Sequence, residues 1–190
     1  MIKYSTSLLL ILLFSSCASH QGHNNEPLVK DSANDNISKK QDSLAISDPG
    51  YFKLYGDSMI IPSFEIEVSL SEKANAKLKA DKETIIVSAI FSGIPKDTTS
   101  EDYRKTGEFG LGFHNIELVE SRIAKFEGIK FSKSLYDSLA DKDIQLLINI
   151  FSGRKSTRDN LLNCDILQDK MSNIKGRKFT LKGKLIYGDK

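Results

Sequence analysis

Ile85-Ile86-Val87-Ser88-Ala89-Ile90-Phe91 is a short, continuous run rich in β-branched residues, and Gly93-Ile94-Pro95 punctuates its end. It reads as a strand buried on both faces. Asp143 to Phe151 repeats the character through Leu146, Leu147, Ile148 and Ile150. Upstream the pattern changes. Phe64, Ile66, Val68 and Leu70 alternate with Glu65, Glu67 and Ser69, a period of two that puts one face in a core and the other in water. Weaker strand candidates lie at 51–55, 109–119, 122–131, 160–167 and 178–187, with Gly128 and Gly153 as further breaks. This density of short strands predicts a mostly-β domain, an immunoglobulin-like or related two-sheet β-sandwich.

The two buried runs belong to an internal echo. Ala80-Asp81-Lys82-Glu83, a strand and Ile90-Phe91-Ser92-Gly93 match Ala140-Asp141-Lys142-Asp143, a strand and Ile150-Phe151-Ser152-Gly153, at an offset of 60 residues. Ser71-Glu72-Lys73 and Leu78 find looser partners in Ser132-Lys133-Ser134 and Leu139. Two copies are too few for a solenoid. They predict two similar halves packed face to face. Ser71–Lys82 and Ser132–Lys142 can each form a helical turn. The spacings Ala74/Leu78 and Leu135/Leu139 would lay one apolar edge on a sheet. An α+β fold, with short helices covering a sheet, is therefore the alternative.

The whole chain of 190 residues is 39% apolar and 27% charged, and Lys+Arg minus Asp+Glu is 27 − 25 = +2. That balance excludes a strongly basic nucleic-acid binder and an acidic disordered chain. Two cysteines exclude a disulfide-stapled miniprotein. No apolar run approaches the roughly 20 residues that span a bilayer.

The N-terminus is an address. Lys3 supplies a positive start, Leu8–Phe14 a seven-residue apolar run, and Ser15-Ser16 small residues directly before Cys17. This is the form of a secretory signal peptide over residues 1–16. Leu13-Phe14-Ser15-Ser16-Cys17 resembles the bacterial lipobox, with Phe14 where an aliphatic residue is usual. The resemblance implies cleavage before Cys17, a diacylglycerol on its thiol and a third acyl chain, palmitate for example, on its amine. One acyl chain alone holds a protein only marginally, so this anchor would be durable. Ala18 and Ser19 follow, and no Asp stands second in the mature chain. The resemblance then favours the outer membrane of a cell envelope.

Residues 17–50 read as the lipidated Cys and a disordered tether, and 51–190 as one globular domain, with the break at Asp48-Pro49-Gly50. The 33 residues from 18 to 50 would span about 30 Å as a coil and at most about 110 Å stretched. Asp31-Ser32-Ala33 and Asp42-Ser43-Leu44 resemble the O-glycosylation signal of Bacteroidetes, which makes Ser32 and Ser43 candidate acceptors. His20 and His23 lack further ligands nearby, and Asp31/Asp35 lack the Gly and Glu of an EF-hand.

Within the domain, chemistry is scarce. His114 follows a glycine-containing stretch, Gly107 to Phe113, that has neither phosphate-loop spacing nor its Lys. It reads as a locally bonded strand residue. Cys164 sits among leucines and reads as a buried inert thiol. Glu65 and Glu67 fall on a solvated strand face. The residues supply no catalytic grouping, no metal set and no cofactor motif. Lys170, Lys175, Arg177, Lys178, Lys182 and Lys184 make the C-terminus basic. They read first as edge-strand protection and second as a surface for anionic lipid, polysaccharide or an acidic protein. The expectation is a membrane-anchored envelope lipoprotein with a non-enzymatic binding or accessory module. An envelope enzyme with an unrecognised site and an inhibitor or immunity-type lipoprotein are the alternatives.

Overall fold

The computed structural model of the chain describes residues 49–188, so Cys17, Ser32, Ser43, His20 and His23 lie outside the described residues. The described part is mostly β, a sandwich-like arrangement of eleven strands and four short helices. The first sheet has the order β10-β8-β4-β5, from β4 (Ile85–Gly93), β5 (Phe109–Leu118), β8 (Gln145–Ser152) and β10 (Leu167–Lys170). The second has the order β6-β3-β11-β9, from β3 (Phe64–Leu70), β6 (Ile123–Phe126), β9 (Leu162–Cys164) and β11 (Lys178–Leu185). A three-stranded ribbon joins β1 (Lys53–Tyr55), β2 (Ser58–Ile60) and β7 (Lys130–Ser132). Every pairing is antiparallel except β3 with β11.

The alternation at Phe64–Leu70 sends Phe64, Ile66 and Val68 inward. They join Ile85, Val87, Ala89 and Phe91 of β4 and Leu146, Ile148 and Ile150 of β8 in one core. Glu65 and Glu67 point outward to Lys125 and Lys178. β4 is shielded on both faces along most of its length, as its unbroken apolar run implies.

The 60-residue echo has a structural meaning, but not a face-to-face one. β4 and β8 are direct neighbours in one sheet. Their ladder pairs Ile85 with Ser152 and Ser92 with Gln145. Its centre lies between Ser88/Asn149 and Ala89/Ile148, so the local two-fold of the antiparallel pair carries each residue onto the one 60 further along. The repeated Ser-Gly ending follows from this pairing. A Cβ on Gly93 would stand 2.9 Å from Leu139 Cδ2, and one on Gly153 would stand 1.9 Å from Thr84 Oγ1. Each glycine makes room for the residues that lead into the other strand.

Both predicted helical turns form. α1 (Glu72–Ala80) is capped by the Ser71 hydroxyl, which accepts from Ala74 N, and it buries Ala74 and Leu78. α3 (Lys133–Ser138) is capped likewise by Ser132, with Tyr136 and Leu139 buried. α2 (Glu101–Thr106) and α4 (Met171–Ile174) are too short to show an apolar period. The caps of α2, Ser100 and the left-handed Gly107, were its available signal. Lys178, Lys182 and Lys184 do not guard an edge strand, because β11 is interior, between β3 and β9; of the C-terminal lysines only Lys170 lies on an edge strand, β10.

Candidate functional site

The acidic residue that precedes each echoed strand is held in a cage of donors. Glu83, 7% exposed, accepts from the N–H groups of Thr84 (2.9 Å), Lys155 (2.9 Å) and Ser156 (3.0 Å) and from the Ser156 hydroxyl (2.9 Å). Burial opposes its charge, but these hydrogen bonds outweigh burial and hold its pKa below the ordinary glutamate range. Beside it the Thr84 hydroxyl donates to Glu117 at 2.8 Å, and Lys155 Nζ meets the same oxygen at 3.1 Å. The cage therefore ties the loop after β8 to the start of β4.

Asp143, the counterpart 60 residues on, accepts from the N–H of Ser172 (3.0 Å), from its hydroxyl (2.7 Å) and from the Tyr51 phenol. Burial again opposes ionisation. The hydrogen bonds from Ser172 and Tyr51 and the charge of Lys170 prevail, and the pKa lies below the ordinary aspartate range. Burial first, then the bond to Asp143, pushes the Tyr51 phenol far above its ordinary value. Tyr51 is thus a fixed donor and stays protonated at neutral pH. Its ring lies tilted against that of Phe52, whose own ring meets Phe131 and Tyr136 edge-on.

The Asp143 cage borders an open cleft of about 460 Å³. Ile60, Ile61 and Pro62 make its floor; Tyr51, Lys53 and Lys175 stand at its wall. Lys175 Nζ lies 4.6 Å from the centre of the Tyr51 ring, an arrangement that stabilises a cation without neutralising it. Among the described residues neither Lys53 nor Lys175 has a carboxylate within ion-pair distance. The cleft thus offers positive charge beside an apolar floor. A second cleft of about 560 Å³ borders the Glu83 cage, but Lys79, Lys82 and Arg122 face Glu83 and Glu120 there, so its charges are mixed.

The residues singled out in the sequence stand apart from these clefts. His114 is exposed on β5, its ring edge-on to Phe126 at 6.1 Å. Cys164 is half-buried, and burial, then Asp165, pushes its thiol up to about 11, so it is protonated and unreactive at neutral pH. Tyr51, Asp143 and Ser172 come together from three distant segments; Asp143 stood out only as the acidic end of the echoed Ala140–Asp143, and Tyr51 and Ser172 carried no local signal. Among the described residues no buried side-chain polar atom lacks a partner. No group of three His, Cys, Asp or Glu among them is placed to hold a metal ion, and no helix is long and apolar enough to cross a membrane. Comparison with family models, curated proteins and solved structures finds no match to the chain.

Proposed function

We propose that this chain is a lipoprotein of the bacterial envelope, anchored through acylated Cys17, whose mostly-β domain is a non-enzymatic module that binds an anionic envelope partner. The anchor reading rests on Lys3, the apolar run Leu8–Phe14 and Ser15-Ser16-Cys17. Ala18 and Ser19 favour the outer membrane. The observation that carries the binding reading is the pair of ammonium groups, Lys53 and Lys175, that line an apolar-floored cleft without a carboxylate partner among the described residues. Unpaired cations beside apolar surface suit a ligand with a carboxylate on a partly apolar body, such as a uronic-acid polysaccharide. The neighbouring Tyr51–Asp143 pair is committed to holding the wall, not to proton transfer.

Titration of the membrane-extracted protein with polygalacturonate, against neutral dextran as control, tests the binding reading. The acidic polymer is expected to bind and dextran not to. Replacing both Lys53 and Lys175 with Ala should weaken binding about tenfold or more at low salt. Equal binding of both polymers, or no effect of the double substitution, overturns it. Mass spectrometry of the mature N-terminus tests the anchor: an acylated Cys17 is expected, and an unmodified terminus at any other residue refutes it.

A further inference from the structure

The second cleft, beside the Glu83 cage, holds charges of both signs, but they are not equally available. Both oxygens of Glu83 are filled by donors from Thr84, Lys155 and Ser156. Lys79, Lys82 and Arg122 line the same cleft. Among the described residues none of these three has a carboxylate within ion-pair distance. Glu120 is the one other acidic residue of the lining. An opening of about 560 Å³ therefore presents three uncommitted cations.

Two of these cations are placed by the fold. Arg122 precedes β6 and is half-buried, and its carbonyl accepts from Val68 N at 2.8 Å. Its Nη2 donates to Asn75 Oδ1 at 3.1 Å, and Asn75 Nδ2 donates in turn to Leu70 O at 3.1 Å. Among the described residues this is the guanidinium's one hydrogen bond. It orients the planar group and leaves the rest of the fork to a ligand. Lys82 is held differently. The turn after α1 bonds Lys82 N to Lys79 O at 3.3 Å and Glu83 N to Leu78 O at 2.8 Å, the two bonds that close a helix on a left-handed residue. That residue is Lys82, at φ 53°. Glycine is the usual choice there, because a Cβ makes the left-handed conformation unfavourable. A lysine suits the C-terminal end of a helix electrostatically, but Lys77 and Lys79 already supply that charge in the last turn of α1. A lysine kept at the strained position of a cleft wall points to a use for its charge.

We propose that this cleft binds a phosphate monoester on a small, soluble organic body, such as a sugar phosphate. The phosphate offers three acceptor oxygens and close to two negative charges at neutral pH. Arg122 meets two of those oxygens with its planar fork, and Lys79 and Lys82 meet the phosphate from the side of α1. A cleft of this volume is larger than inorganic phosphate needs. Leu78 and Val119 give the organic body apolar surface, and Glu120 supplies an acceptor for its hydroxyl groups. Two aliphatic side chains are too few to receive acyl chains, so the ligand is not a lipid headgroup. The cleft shares no residue with the one that holds Lys53 and Lys175, and the proposal stands or falls independently of the reading above.

Calorimetric titration of the membrane-extracted protein with glucose 6-phosphate, against glucose as control, tests this. Glucose 6-phosphate is expected to bind with a dissociation constant below about 1 mM at low salt, and glucose not to bind. Arg122→Gln should weaken binding at least about tenfold. Lys82→Gly should weaken it about threefold or more and, with glycine at the left-handed position, raise the melting temperature by about 2 °C. A merely structural lysine would not couple lost affinity to gained stability, so this variant decides the matter if Arg122→Gln folds poorly. Lys53→Ala/Lys175→Ala should leave glucose 6-phosphate binding unchanged. No binding at about 10 mM, equal binding of glucose, or an affinity indifferent to both Arg122→Gln and Lys82→Gly overturns the proposal. Binding of dihexanoylphosphatidate in place of glucose 6-phosphate overturns it as well.

Discussion

Glu83 and Asp143 occupy the same place in two copies of one local pattern, yet they hold different things. Glu83 reaches across the β4/β8 ladder to the loop that leaves β8, so its cage closes the sheet on itself. Asp143 is one methylene shorter, and its partners come from elsewhere: Tyr51 from the chain leading into β1 and Ser172 from α4. The first carboxylate stabilises the repeated core. The second recruits segments outside the repeat, and a cleft opens where they meet. The echoed strands β4 and β8 pair at the centre of the first sheet, and the candidate site lies beside the carboxylate whose partners come from outside the echo.

The glycines of the echo should break this equivalence most strongly. Gly153→Ala puts a methyl 1.9 Å from Thr84 Oγ1, which is buried and bonded to Glu117. It should cost about 3 kcal/mol, at the upper end for overpacking. Gly93→Ala meets the tip of the Leu139 side chain at 2.9 Å, which can turn aside, and should cost about 1 kcal/mol. Denaturant unfolding of the two variants checks the order; equal losses would mean that Thr84 moves as freely as Leu139.

Removing the carboxylates comes next. Glu83→Ala strands three backbone N–H groups and a hydroxyl and should cost about 3 kcal/mol; Asp143→Ala, in a more open setting, about 2 kcal/mol. Both native pKa values lie below the unfolded ones, so the unfolded state takes up protons first as pH falls. Stability should hold from neutrality to about pH 5 and then decline as pH falls through the ordinary carboxylate range toward the lowered native values. Melting temperature against pH measures this, and Glu83→Gln and Asp143→Asn should each flatten the decline.

Tyr51→Phe sharpens the comparison from the other side. It deletes one donor to Asp143 while keeping the ring against Lys175, so stability should fall by only about 1 kcal/mol. Polygalacturonate binding should persist. A loss as large as that of Lys53→Ala/Lys175→Ala would instead place the hydroxyl in the ligand contact.

Much of the fold was legible locally. The apolar run Ile85–Phe91, the alternation at Phe64–Leu70 and the serine caps at Ser71 and Ser132 all act through neighbours in sequence, and each appears as a strand or helix where its pattern placed it. The echo announced two related units, but a period of two says nothing about whether such strands stack or pair. The β4/β8 register decided that they pair. The lysines at 170–190 were visible as a cluster; that β11 is interior, and that Lys175 alone reaches the cleft with Lys53, depended on the parallel β3/β11 ladder and on α4.

The sequence alone determined the lipobox-like start, the β character of the domain and the residues able to alternate between core and water, because those properties are set by composition and short-range period. Only the tertiary structure decided that Tyr51, Asp143 and Ser172 meet, 92 and 29 residues apart, and that Lys82 and Arg122 line one cleft. Contacts of that separation are chosen by which sheet order buries the core, and no local pattern records the choice.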